Sequence, residues 1–170
     1  MKRRARAPLL AAALACGAAL AGQPGEPEYY VEDLRCVGGK HSLTLPATLP
    51  ALLALGPGAR VEDLDVERNL DGESLTRKRI RFDGLTFTLI AYGRDLSRYS
   101  LQTVEIRSAA WARIAPFAVG ESVAGVRKRL GSIADADGEL RSTYSGENES
   151  LRFETASGKV TAILYACYTG

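Results

Sequence analysis

Hydrophobic and polar positions alternate in two similar stretches of the chain, and each stretch combines a short helix pattern with several strand patterns. In the first, Thr48 and Pro50 mark the start of a leucine-rich helix that ends at Gly56. Short strands are predicted before it, near residues 34–37 and 42–45. Alternating strands are predicted after it, and they return along residues 101–108.

The second stretch follows the same order. Ser122 caps a helix with apolar positions on one stripe, and Gly131 closes it. Strands are predicted near residues 139–144, 150–155 and 159–168. The two stretches together predict an α+β fold of two tandem helix-plus-antiparallel-β-meander units, which form a joint sheet surface with the helices packed on one face.

The strongest local pattern is a hairpin around Asp83-Gly84, because this dipeptide separates two alternating runs. A two-residue turn pairs Phe82 with Leu85 and Ile80 with Phe87. Both strands then place their apolar residues on one face. The other face carries Arg77, Arg79, Arg81, Thr86 and Thr88.

The N-terminal segment has the pattern of a secretory signal peptide. Basic residues precede an apolar run over residues 8–21, which ends in Ala19-Leu20-Ala21. That run is shorter than the roughly 20 residues a spanning helix needs. The predicted organisation is a signal peptide (1–21), an extended tether (22–33), unit one (34–108), a connection (109–119) and unit two (120–170).

Removal of the signal peptide changes the charge of the protein. The chain has 22 basic and 20 acidic residues, and Lys2, Arg3, Arg4 and Arg6 are lost by cleavage. The remaining part has a net charge of −2, which gives no electrostatic reason to expect nucleic acid or an anionic membrane as its main partner. We expect a periplasmic protein that meets the membrane only through a lipid anchor, for which Cys16 is the candidate. The sequence Ala13-Leu14-Ala15-Cys16 matches a lipoprotein site imperfectly, so soluble export is favoured.

Cleavage also leaves two cysteines, Cys36 and Cys167. An even pair in an oxidising compartment predicts a disulfide. The alternative is two unpaired cysteines that act as small apolar residues in the core.

Unit two resembles a known class of bacterial envelope proteins. The resemblance is carried by Val119-Gly-Glu-Ser122, by the helix that ends at Leu130-Gly131, and by Leu151-Arg-Phe153 and Gly158-Lys-Val-Thr-Ala-Ile163. It is similar to the helix-plus-meander units of SmpA/OmlA (BamE)-type assembly lipoproteins and of the tandem-repeat β-lactamase inhibitor protein. The resemblance implies a protein-binding module and no enzymatic activity, and no residue-level binding site is carried over.

Catalytic and metal-binding motifs are not formed by the residue types that they need. His41 is the single histidine, and the sequence around Ser122 is not a Gly-x-Ser-x-Gly elbow. Asp135 and Asp137 precede Gly138 at a calcium-like spacing but lack the further ligands of an EF-hand, so a turn is the better interpretation. We therefore predict no catalytic residues, no cofactor and no metal, although scattered carboxylates leave a hydrolase as a remote alternative.

The candidate partner-binding face consists of Arg77, Arg79, Arg81, Tyr92 and Tyr99. Arginine and tyrosine are enriched in the parts of protein interfaces that carry most of the binding energy. The competing interpretation pairs the arginines with Asp63, Asp65 and Glu67 on a neighbouring strand. Tyr144, Tyr165 and Tyr168 were considered as further members of the face.

The function predicted from these observations is an exported module that binds another envelope protein, as an inhibitor or immunity protein of an envelope enzyme. The alternative is an accessory lipoprotein in envelope assembly. The oligomeric state is left open.

Overall fold

The structure, a computed structural model, describes residues 29–31, 33–93, 95, 97–130 and 143–167. The signal peptide, Cys16, the first part of the tether, the Asp135/Asp137 turn and Tyr168 lie outside the described residues. The fold is α+β, with seven strands paired antiparallel and few helices.

Eight strands and two short α-helices make up the described part of the chain. In chain order they are β1 (Tyr29–Tyr30), α1 (Leu49–Leu53), β2 (Arg60–Arg68), β3 (Ser74–Phe82), β4 (Leu85–Tyr92), β5 (Tyr99–Ile106), α2 (Val123–Leu130), β6 (Thr143–Ser145), β7 (Ser150–Ala156) and β8 (Lys159–Ala166). A 3₁₀ turn, Ala109–Trp111, follows β5. Both predicted helices are confirmed. The side chains of Thr48 and Ser122 accept hydrogen bonds from the amides of Ala51 (3.4 Å) and Gly125 (3.1 Å).

The strands form one sheet in the order β1-β6-β7-β8-β5-β4-β3-β2. The meander β2–β5 joins the meander β6–β8 where β5 pairs antiparallel with β8, and Val104 lies opposite Tyr165 there. β1 extends the other edge by pairing in parallel with β6. Residues 29–31 belong to the predicted tether, but they are instead part of the fold: Val31 is buried, and its amide donates to the carbonyl of Ser145 at 2.7 Å.

The predicted β3–β4 hairpin is confirmed with its register, since Phe82 lies opposite Leu85 and Ile80 opposite Phe87. Gly84 has a φ of +70°, and a Cβ there would lie 2.3 Å from the Cβ of Ser108. The turn therefore needs glycine for its backbone conformation and for the close approach of the chain.

The predicted strands near residues 34–37 and 42–45 are not formed. A single bridge joins Val37 and Leu43, while Leu34, Cys36 and Leu43 are buried. This segment contributes side chains to the core without adding a strand to the sheet.

One face of the sheet packs into the core. On β4 every second residue is buried, from Leu85 to Ala91. Leu49 and Leu52 of α1 and Val126 and Leu130 of α2 belong to the same buried cluster. The opposite face is called the outer face below.

Candidate protein-binding face

The three predicted arginines lie side by side on the outer face of β3. Arg77 is opposite Ile90 of β4, Arg79 is opposite Thr88, and Arg81 is opposite Thr86. Their neighbours Ile80 and Phe82 point into the core. The side chains of Arg77, Arg79 and Arg81 are 41%, 35% and 51% exposed, so they are ordered by neighbours and still accessible.

Acidic residues of β2 hold these arginines. Arg77 forms a salt bridge with Asp65, and hydrogen bonding to Asp65, followed by its negative charge, raises the pKa of Arg77. Arg79 and Arg81 both reach Oε2 of Glu62, at 3.4 and 3.2 Å. Two guanidinium groups thus share one carboxylate.

The predicted set of acidic partners is therefore only partly correct. Asp65 does pair with Arg77, but Asp63 pairs with Lys78 at 2.6 Å and lies on the opposite face of the sheet. The reason is a β-bulge between Asp63 and Asp65, which reverses the alternation of side chains along β2. Glu67 does lie on the outer face, opposite Leu75, but it forms no ion pair among the described residues.

Tyr92 shares the outer face with the arginines. It lies opposite Leu75, and its hydroxyl group is 2.7 Å from the Oγ of Ser100. The guanidinium carbon of Arg98 lies 5.1 Å from the centre of the Tyr92 ring. These two contacts fix the orientation of the aromatic ring at one end of the arginine row.

Tyr99 does not belong to this face, contrary to the prediction. It lies opposite the buried Ala91, its hydroxyl donates to the carbonyl of Pro46, and burial raises the pKa of the phenol. A second irregularity, in which Gln102 is the extra residue of β5, reverses the alternation there. Tyr144 and Tyr165 are also buried.

A second charged cluster occupies the outer face where the two meanders join. Glu154 of β7 accepts from Arg107 at 3.0 Å and from Arg152 at 3.1 Å, and these hydrogen bonds lower the pKa of Glu154, with the larger effect from Arg107. Arg107 also pairs with Glu105 of β5. The sequence analysis missed this cluster because its members come together only through the pairing of β5 with β8.

The shape of the outer face offers a shallow cavity between the arginine row and β5. It has a volume of about 220 Å³ and is lined by Asp65, Glu67, Leu75, Arg77, Ile90 and Gln102. Its walls combine charged groups with aliphatic side chains. Such a surface can receive a polar side chain of a protein partner.

The predicted disulfide is confirmed. Cys36 and Cys167 are bonded, with their Cα atoms 5.7 Å apart. The amide of Cys36 donates to Oε2 of Glu149 at 2.6 Å, and the amide of Cys167 donates to the carbonyl of Gln102 at 2.8 Å. The bond therefore anchors the segment before α1 at the end of the β5–β8 junction.

His41 has a structural environment. Its side chain is buried and stacks on Phe117 with 5.8 Å between ring centres, and its carbonyl accepts from the hydroxyl of Tyr165 at 3.0 Å. Burial, with a smaller effect of the Lys40 charge, lowers the pKa of His41. Within residues 29–130 and 143–167, as far as they are described, no three potential ligand side chains form a metal-binding group.

Comparison with known proteins finds no match: no family model fits the sequence, and neither a curated protein nor a solved structure matches it significantly. Among the described residues, no helix is long and apolar enough to cross a membrane.

Proposed function

We propose that the protein is an exported, periplasmic module that binds another protein of the cell envelope through the outer face of β3 and β4. The observation that carries the proposal is the row of Arg77, Arg79, Arg81 and Tyr92, half-exposed and each oriented by a neighbouring side chain. Export is supported by the signal-peptide pattern and by the Cys36–Cys167 disulfide.

The arginine row suits recognition of carboxylates and backbone carbonyls. A guanidinium has five N–H donors, and Arg79 and Arg81 are both satisfied by one oxygen of Glu62, so most of their donors stay available to a partner. Because the side chains are already oriented, binding loses less conformational entropy than it would with mobile side chains. Tyr92 adds apolar contact area next to them.

We also propose the two-unit arrangement of the fold. In its favour, each meander has a helix before it along the chain, and residues of both helices lie in the common core. The joint sheet provides a broad surface made by both units. This arrangement agrees with the resemblance to tandem envelope modules, whose known examples include an enzyme inhibitor. Inhibition of, or immunity to, an envelope-acting enzyme is therefore our specific proposal.

The first experiment is affinity capture from a cell-envelope extract with the tagged mature protein, read by mass spectrometry. It is run in parallel with Arg79→Glu/Arg81→Glu and with the control Lys128→Glu/Lys159→Glu, which makes the same change of charge on exposed residues away from the row. We expect a protein that the wild type and the control retain and the arginine variant loses.

The affinity for the captured protein is then measured directly. The arginine variant should bind more than tenfold more weakly, because two hydrogen-bonding cations become anions. Equal affinity of the arginine variant and the control would refute the role of this face. An enzyme whose turnover falls when the protein is added supports inhibition, whereas capture of outer-membrane assembly proteins supports the accessory role.

A further inference from the structure

β2 forms one edge of the sheet. Arg60–Arg68 pairs with β3 on one side, and no described strand pairs with the other side. Two of its apolar side chains are unusually exposed, Val61 at 48% and Val66 at 62%. A nine-residue edge with exposed valines is a template on which a further strand can pair.

The bulge at Leu64 decides which residues of β2 share a face. Register with β3 places Arg60, Glu62, Asp65 and Glu67 on the outer face, opposite Arg81, Arg79, Arg77 and Leu75. Val61 lies opposite Ile80 and Val66 opposite Thr76, so both valines are on the other face. Valines five positions apart share a face only because the bulge adds one residue between them.

The charges of β2 divide into satisfied and unsatisfied ones. Glu62, Asp63 and Asp65 each form an ion pair with β3. Arg60 and Glu67, both exposed on the outer face near opposite ends of the strand, form no ion pair with any described residue. The strand thus carries one unpaired cation and one unpaired anion.

We propose that a second copy of the chain pairs antiparallel with β2 across a two-fold axis, in the register that places Arg60 opposite Glu67 of the second copy. The same register places Val61 opposite Val66 twice, and every opposed pair then lies on the same face of the joined sheet, as antiparallel pairing requires. Both unpaired charges meet opposite charges. The two copies join into one continuous sheet with an outer face of doubled width.

Competing registers satisfy these conditions less well. A shift by one position in the pairing places outer-face residues opposite core-face residues. A shift by two places Glu62 opposite Glu67, so that like charges meet without an intervening cation. In the proposed register Glu62 lies opposite Asp65, but Arg79, Arg81 and Arg77 already neutralise these carboxylates.

The interface is short, so the dimer is expected to be weak. Two nine-residue strands joined edge to edge bury less than the roughly 1,600 Å² of a standard protein interface. Sedimentation velocity of the purified mature protein from about 1 µM to about 1 mM covers the range in which such an interface associates. We expect reversible formation of a dimer.

Charge reversal tests the register. Arg60→Glu should weaken the dimer about tenfold, because it turns two attractive exposed pairs into two repulsive ones. The double variant Arg60→Glu/Glu67→Arg restores both pairs and should recover wild-type association. Arg68→Glu is the matched control: it changes the same charge at the same edge but has no charged counterpart in this register.

Each outcome decides the proposal. A protein that stays monomeric over the whole range refutes it, as does a dimer that Arg60→Glu leaves unchanged. A dimer that the charge swap fails to restore refutes the register. Because Arg60 and Glu67 make no ion pairs within the chain, all variants should keep the wild-type circular dichroism melting curve, which verifies that folding is intact.

Discussion

The β5–β8 junction and the β2–β3 edge are both rich in charged residues, but they are built for different tasks. At the junction, buried residues such as Val104 and Tyr165 face each other, and a disulfide and the Arg107–Glu154 pair join parts of the chain that are distant in sequence. At the edge, exposed side chains pair within one hairpin. We infer that changes at the junction affect stability, whereas changes at the edge affect recognition.

The largest expected effect breaks the junction. The Cys36→Ser/Cys167→Ser variant should lose about 4–5 kcal/mol in the free energy of unfolding, because the disulfide spans 131 positions and restricts the unfolded chain. Urea unfolding measures the loss. The wild type in the presence of a thiol reductant is the matched control and should unfold at the same denaturant concentration as the variant. Equal stability of the variant and the oxidised wild type would show that the disulfide does not hold the junction.

A smaller effect concerns pH. Burial lowers the pKa of His41 in the folded state, so the unfolded chain binds the proton more tightly. The contribution of His41 is complete above its unfolded pKa of about 6.5, and it is lost as the pH falls from there through the lower pKa of the folded state. The wild type should therefore lose stability below about pH 6.5, and the His41→Gln variant should lose less.

Urea midpoints of the two proteins across this pH range test the prediction. The difference between them isolates His41, since both proteins share all titrating carboxylates. Parallel curves would mean that His41 does not couple the core behind β8 to pH.

The smallest effects compare the two charged clusters directly. Arg107→Ala removes a link between β5 and β7, so it should lower the free energy of unfolding by less than about 1 kcal/mol, as expected for a partly exposed pair. Arg79→Glu/Arg81→Glu should leave the melting temperature unchanged. Thermal melts followed by circular dichroism make the comparison. A larger loss in the arginine-row variant than in Arg107→Ala would reverse our assignment and make the row a structural ion-pair network.

How far the sequence predicted the structure depended on the range of the interactions. The β3–β4 hairpin was predicted with its register because Asp83-Gly84 and the alternation on both sides give the same answer. The two helix caps were predicted because capping depends on a few neighbouring residues. The pairing of β5 with β8 depends on packing between distant segments, which local patterns do not encode.

The errors at the candidate site share one physical cause. Asp63 and Tyr99 were assigned to the arginine face by simple alternation, and a bulge in β2 and another in β5 moved each to the opposite face. Nothing in the residue types at Leu64 or Gln102 marks an extra residue. A bulge is set by how two strands fit together, so its effect on the alternation appears only in the structure.

The position of β8 has a consequence for the route by which the protein folds. It is the last strand in chain order among the described residues, yet it lies inside the sheet between β7 and β5. Until β8 is available, β5 exposes an edge and the two meanders remain separate. A chain with such distant central contacts completes its native state late and slowly. For an exported protein this delay is useful, because a polypeptide that cannot close its sheet early remains threadable during translocation.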